Sequence, residues 1–109
     1  MEVKSFDRDG VAVFQVSGEI NISTSPELKK AFEKQASLKK VVVDLEKVAY
    51  IDSSGLATLV EMLKKTRSRG GAFGLSGMSD KVKSLFEITK LDKLFSIFSD
   101  QEEAVTKIK

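Results

Sequence analysis

Asp52-Ser53-Ser54-Gly55 is the stretch of this chain whose residue types and spacing could handle a phosphate. Before it, Val41, Val42, Val43 and Leu45 read as a buried strand. After it, Leu56, Leu59, Val60 and Leu63 recur at i, i+3, i+4 and i+7, the spacing of an amphipathic helix. The four residues therefore stand where the chain enters a helix. Aspartate and serine side chains there can accept bonds from the first free backbone N–H groups. Gly55 is expected to leave the first turn open. A hydroxyl among unpaired N–H donors, at the positive end of a helix dipole, suits a phosphate. An ordinary N-cap accounts for the same residues and is the commoner outcome, so residue chemistry alone leaves both uses open.

Catalytic chemistry is poorly supplied. The chain has no histidine and no cysteine, which removes the commonest general base, thiolate attack, disulfides and sulfur-bound metals together. Ser53 and Ser54 do not open an S-x-x-K motif, since Leu56 and Ala57 stand where the lysine would be. There is no G-x-S-x-G elbow and no G-x-x-x-x-G-K-[ST] loop. Asp44, Glu46 and Asp52 are close in sequence and could in principle gather a divalent cation, but strand and loop aspartates more often cap nearby backbone. The expectation is a binding protein rather than an enzyme, with no cofactor and no bound metal.

The positioning elements follow from periodicity and punctuation. Residues 3–7 and 11–16 read as two strands joined at Asp7-Arg8-Asp9-Gly10, a hairpin signal. In the second, Ala12 and Phe14 face opposite to Val11, Val13 and, in part, Val16. Residues 17–21 are expected to leave that strand as a loop. Thr24 and Glu27 have capping-box spacing, and Pro26 lies in the first turn of a helix whose inner face is Leu28, Ala31, Phe32 and Ala36. Residues 41–45 form a central strand, and the helix after Asp52 runs to about Arg69. Its last turns carry Lys64, Lys65, Arg67 and Arg69 before Gly70-Gly71, which a helix C-terminus explains without nucleic acid. A strand over residues 72–75, a helix with Val82, Leu85, Phe86 and Ile88, a short strand within residues 91–98 and a terminal helix from residue 99 or 100 complete the chain. The order predicts an α/β sandwich: a mixed sheet of four to five strands with about four helices, mostly on one face. The Asp52-Ser53 junction then lies at the carboxyl end of a strand, where sites gather in such sheets.

At 109 residues the expected organisation is one domain over residues 1–109. A net charge of +2 is too small to suggest nucleic-acid or membrane binding. The first four residues, Met1-Glu2-Val3-Lys4, have no apolar signal core, and no apolar run approaches the ~20 residues of a span, so a cytoplasmic location is expected.

The chain resembles a STAS domain, in particular the free-standing bacterial anti-sigma factor antagonists. The resemblance rests on Gly18-Glu19-Ile20, on Val42-Val43-Asp44-Leu45 followed by Ile51-Asp52-Ser53-Ser54-Gly55-Leu56, on Gly70-Gly71, on Val82 with Leu85-Phe86, and on Leu91 with Leu94-Phe95. It runs from about residue 3 to residue 108. It implies a partner switch in which Ser53 is phosphorylated by an anti-sigma factor that is also a serine kinase. The unphosphorylated form binds that kinase and frees the sigma factor, and a metal-dependent serine phosphatase resets the switch. The implied partner surface includes the loop from Glu19 to Thr24, with Glu19, Asn21, Ser23 and Thr24 singled out, and the start of the second helix with Asp52, Ser54 and Gly55, on a chain that is a monomer when free. The family usually has an aspartate after G-E-[IL], where this chain has Asn21. The resemblance also admits a STAS module in another partner-switching or stress-signalling assembly, and a domain that senses a small ligand or nucleotide at Ser53 without phosphorylation.

Overall fold

The structure is a computed structural model, and it describes residues 1–35 and 39–108. Asp9 and Gly10 both take positive φ, 53° and 85°, the two-residue geometry that matches strand twist in a tight hairpin. They join β1 (Glu2–Arg8) to β2 (Val11–Ile20) in antiparallel register. The Asp7 carboxylate accepts the Gly10 N–H at 3.1 Å and closes the turn. The chain continues through α1 (Ser25–Glu33), β3 (Lys40–Ile51), α2 (Ser53–Ser68), β4 (Ala72–Ser76) and α3 (Asp80–Ile88). A single 3-10 turn (Leu91–Lys93), β5 (Ser96–Phe98) and α4 (Gln101–Ile108) follow. The sheet order is β1-β2-β3-β4-β5, with every pair after the hairpin parallel. This is the mixed α/β sandwich that the alternation of strands and helices predicts.

Three helices cover one face. Leu28 and Phe32 of α1, Leu59, Met62 and Leu63 of α2, and Val82 and Phe86 of α3 are buried against Phe14, Val43 and Leu75 of the sheet. Among the described elements, α4 is the helix that covers the opposite face, through Ala104 and Val105 on Val11, Val13 and Val42. Val16 lies on the Phe14 face, not with Val11 and Val13. Alternation at period two requires this once the strand stays in register to that point.

Two strands are longer than their apolar cores suggest. β2 continues through residues 17–20 instead of leaving as a loop, and β3 runs six residues past Leu45, to Ile51. Each supplies the other with backbone partners, ending at the pair Ile20↔Ile51. Register shifts between Gln15 and Ser17 and between Gly18 and Glu19 absorb the irregularity, with Gly18 at φ 95°. Pairing with a neighbour outweighs the polar composition of these segments. α3 extends to Ile88, whose side chain is exposed. One smaller expectation fails: Thr24 precedes α1 as its cap residue and its carbonyl accepts the Glu27 N–H at 2.9 Å, but its side chain makes no cap bond to the helix. Pro26 does lie in the first turn of α1. Ala36 lies outside the described residues.

α2 ends in the pattern its glycines foretell. The Gly71 N–H reaches the Thr66 carbonyl at 3.0 Å and the Gly70 N–H reaches Arg67 at 2.9 Å, with Gly70 at φ 74°. These are the paired bonds of a Schellman end. Inside the helix, Thr58 and Thr66 donate their hydroxyls to the carbonyls of Ser54 and Met62, which satisfies two otherwise buried polar groups.

Candidate functional site

The start of α2 is shaped by the end of β3. Asp52 leaves the strand in extended backbone and becomes the N-cap. Its Oδ1 accepts the Gly55 N–H at 3.0 Å, and its own carbonyl accepts the Leu56 N–H at 2.9 Å. The cap is therefore made by Asp52. Neither Ser53 nor Ser54 contributes a side-chain cap bond. Ser53, the first helical residue, is exposed, and its hydroxyl has no hydrogen-bond partner among the described residues. The N–H groups of Ser53 and Ser54 likewise have no backbone acceptor among them. An exposed hydroxyl beside two unclaimed donors of a 16-residue helix is a setting in which an anion is favoured.

Gly55 does not leave the turn open to solvent. It is buried, and a Cβ there would lie 2.6 Å from the Ile20 carbonyl oxygen and 2.7 Å from Cγ2 of Ile51. The missing side chain lets the last residues of β2 and β3 pack directly against the helix backbone. Its role is close approach.

That approach brings a second loop to the site. The Asp52 N–H donates to the Ile20 carbonyl at 3.0 Å. The Ile22 N–H donates to Asp52 Oδ2 at 3.2 Å. Asn21 closes residues 21–24 from within, its Oδ1 accepting the N–H groups of Ser23 at 2.9 Å and Thr24 at 3.1 Å. Thr24 turns its hydroxyl back to accept the Asn21 N–H at 2.9 Å and to donate to the Glu19 carbonyl at 2.8 Å. This explains the missing capping box: the hydroxyl is already engaged in the loop and is not available to α1. Asn21 works here through its amide oxygen, which a carboxylate could replace in shape and acceptor capacity.

Of the residues singled out in the sequence, Asp52, Ser53, Ser54, Gly55, Asn21 and Thr24 are brought to adjoining loops at the carboxyl ends of β2 and β3. Ser23 is exposed in the same turn, and Glu19 is exposed at the end of β2, opposite Tyr50. Asp44 and Glu46 are not part of this site. Asp44 is 2% exposed, and its oxygens accept the Gln101 amide at 2.8 Å and the Glu46 N–H at 3.0 Å. Among the described residues no three carboxylates gather as a metal centre would need. Two features go beyond the sequence reading. Ile22, within the loop from Glu19 to Thr24 that the resemblance implies as partner surface but not singled out there, is one of the most exposed large apolar residues described. Tyr50 is partly exposed with the Lys81 ammonium 5.7 Å from its ring centre. A lone apolar residue inside a polar loop was the available signal for Ile22; the Tyr50–Lys81 contact joins two distant segments and had none.

Comparison with known proteins agrees with this architecture. The STAS domain family model matches residues 4–104, and the chain belongs to that family. It is 38% identical over 99 residues to a protein named anti-sigma-B factor antagonist from Listeria monocytogenes, covering 89% of this chain and 86% of the relative. A crystal structure described as an anti-sigma factor antagonist from Mycobacterium paratuberculosis matches at TM-score 0.88 and 30% identity, over 98% of this chain and 92% of that one. The anti-sigma factor antagonist SpoIIAA shares the fold at 15% identity, with TM-score 0.74 for its unphosphorylated form, over 98% of this chain and 97% of that one. The phosphorylated SpoIIAA of Bacillus gives 0.76, also at 15% identity, over 99% of this chain and 100% of that one. No helix among the described residues is long and apolar enough to cross a membrane.

Proposed function

We propose that this chain is an anti-sigma factor antagonist switched by phosphorylation of Ser53. The unphosphorylated form binds an anti-sigma factor that is also a serine kinase and so releases the sigma factor. The kinase modifies Ser53 and ends the complex, and a metal-dependent serine phosphatase restores the binding form. The working protein is a cytoplasmic regulator and not an enzyme. The observation that carries this reading is Ser53 itself: an exposed hydroxyl on the first residue of α2, with no hydrogen-bond partner among the described residues and beside N–H groups with no backbone acceptor among them. Relatives named as antagonists support the partner class.

The physics of the switch is an asymmetry between fold and surface. Phosphate adds a charge of about −1.5 to −2 at neutral pH. Within the chain, free N–H groups and the helix dipole favour that charge. Across a fitted interface, misplaced charge costs several kcal/mol, and each ~1.4 kcal/mol is a tenfold loss of affinity. Binding should therefore weaken on the order of a hundredfold or more. The test is to incubate the protein with its anti-sigma kinase and ATP, map the modified residue by mass spectrometry, and titrate both forms against the kinase. Ser53→Ala should stay in the binding state, Ser53→Asp should bind more weakly, and Ser54→Ala should still be modified. Phosphate on Ser54, or undiminished binding by the Ser53 phosphoform, overturns the reading.

A further inference from the structure

Ile20 and Ile51 are buried at the ends of their strands, whereas Ile22, two residues on, is 73% exposed. Exposed apolar residues scattered singly are ordinary. Ile22 differs in how it is held. The turn around it is tied by Asn21 Oδ1 to the N–H groups of Ser23 and Thr24, and by the Thr24 hydroxyl to Asn21 and Glu19. Its own N–H is held at 3.2 Å by Oδ2 of Asp52, whose Oδ1 caps the helix that carries Ser53. A turn tied at this many points has already lost the freedom that docking would otherwise have to remove. It presents one large apolar side chain outward, beside the proposed switch.

The geometry points to Ile22 as the apolar anchor by which this chain docks on its anti-sigma factor, with Asp52 as the residue that positions it. This rests on the antagonist reading and names a contact within it. The complementary surface is an apolar socket rimmed by hydrogen-bond donors or cations, because the carboxylates of Glu19 and Asp52 border the loop. A phosphate on Ser53 stands next to Asp52, so modification and docking meet at the same carboxylate.

The test uses the full chain and the purified anti-sigma kinase that phosphorylates Ser53 in the presence of ATP. Ile22→Ser should weaken binding at least about tenfold in calorimetric titration. Its melting temperature should match wild type, since the side chain is mostly in water already. Asp52→Asn keeps one acceptor oxygen, and asparagine caps helices as well as aspartate does. That variant should hold α2, speed hydrogen exchange at the Ile22 amide, and weaken binding by a smaller factor than Ile22→Ser. Binding by Ile22→Ser within about twofold of wild type, while Ser53→Asp still loses affinity, overturns the anchor and leaves the antagonist reading in place. A melting loss of several degrees in Ile22→Ser overturns it too, by assigning the side chain to the fold. Unchanged exchange at Ile22 in Asp52→Asn removes Asp52 from its positioning role. If wild type itself binds no such kinase, the antagonist reading falls and the anchor with it.

Discussion

Gly55 and Asn21 show how much of this site depends on single atoms. Alanine is favoured over glycine by about 1 kcal/mol inside a helix, so propensity alone predicts that Gly55→Ala stabilises α2. The space decides otherwise. A methyl group would sit within 2.8 Å of the Ile20 carbonyl oxygen and of methyl carbons on Ile20 and Ile51. All three contacts are at the ends of paired strands, where little can give, and overpacking of this kind costs about 1–3 kcal/mol. Gly55→Ala should therefore show a net loss in urea unfolding, and an unchanged or raised midpoint would mean that the strands yield easily. Asn21 makes the opposite case, a substitution with room. Asn21→Asp keeps the acceptor that holds Ser23 and Thr24, so the unmodified protein should melt close to wild type. With phosphate on Ser53, the added carboxylate stands in the loop that Asp52 ties to the start of α2 through the Ile22 N–H, and like charges that are close repel. The phosphorylated variant should melt below phosphorylated wild type. Equal melting shifts on phosphorylation would place residues 21 and 53 too far apart to interact.

At the scale of elements, α2 is both a core helix and the carrier of Ser53. Leu59 is completely buried on its inner face. Leu59→Ala should cost roughly 2–5 kcal/mol by urea unfolding, from lost burial and the cavity left behind. A change of a few tenths would show that this face is not core. On the outer surface, Glu61 of α2 meets Lys29 of α1 at 3.1 Å and Lys65 of its own helix at 3.3 Å. The hydrogen bond from Lys29, then that from Lys65, holds the Glu61 carboxyl below its ordinary value. A lowered folded value stabilises the protein above the unfolded carboxylate value of about 4.3. That contribution is lost as pH falls through the lower folded value. The side chains are about two-fifths exposed, so screening by water keeps the effect to a few tenths of a kcal/mol. Glu61→Gln should lower stability slightly at pH 7 and not at pH 2, with the difference shrinking in 1 M salt. A deficit that persists at pH 2 would trace it to packing.

For the whole molecule, the proposed phosphorylation predicts a fold that barely changes. Ser53 projects from a helix start into solvent, while the core under the sheet, from Phe14 to Phe86, lies elsewhere. Phosphorylation should leave the melting temperature within a few degrees and confine amide shift changes to residues near 20–24 and 50–57. Shifts spread across α3, α4 and the β1–β2 hairpin would mean that the phosphate works by rearranging the domain.

Much of this was legible in residue order alone. The apolar spacing of Leu56, Leu59 and Leu63 set the buried face of α2, and Asp9-Gly10 set the hairpin, because both depend on neighbours within a few residues. Asp52 before Ser53 marked a helix start by the same local logic, and the lack of histidine and cysteine narrowed the chemistry before any fold was in view. What lay beyond reach were facts about segments that meet only after folding. The extension of β2 and β3 to Ile20 and Ile51 comes from each strand pairing with the other, 31 residues apart in register. The Thr24 hydroxyl left its capping box because Asn21 and Glu19 claimed it within the loop. Gly55 became a contact surface, and Asp52 a bridge between helix and loop, through the approach of Ile20 and Ile22. Local spacing determines which residues can cap, turn or bury. Only the packed sheet decides which of them stand together around Ser53.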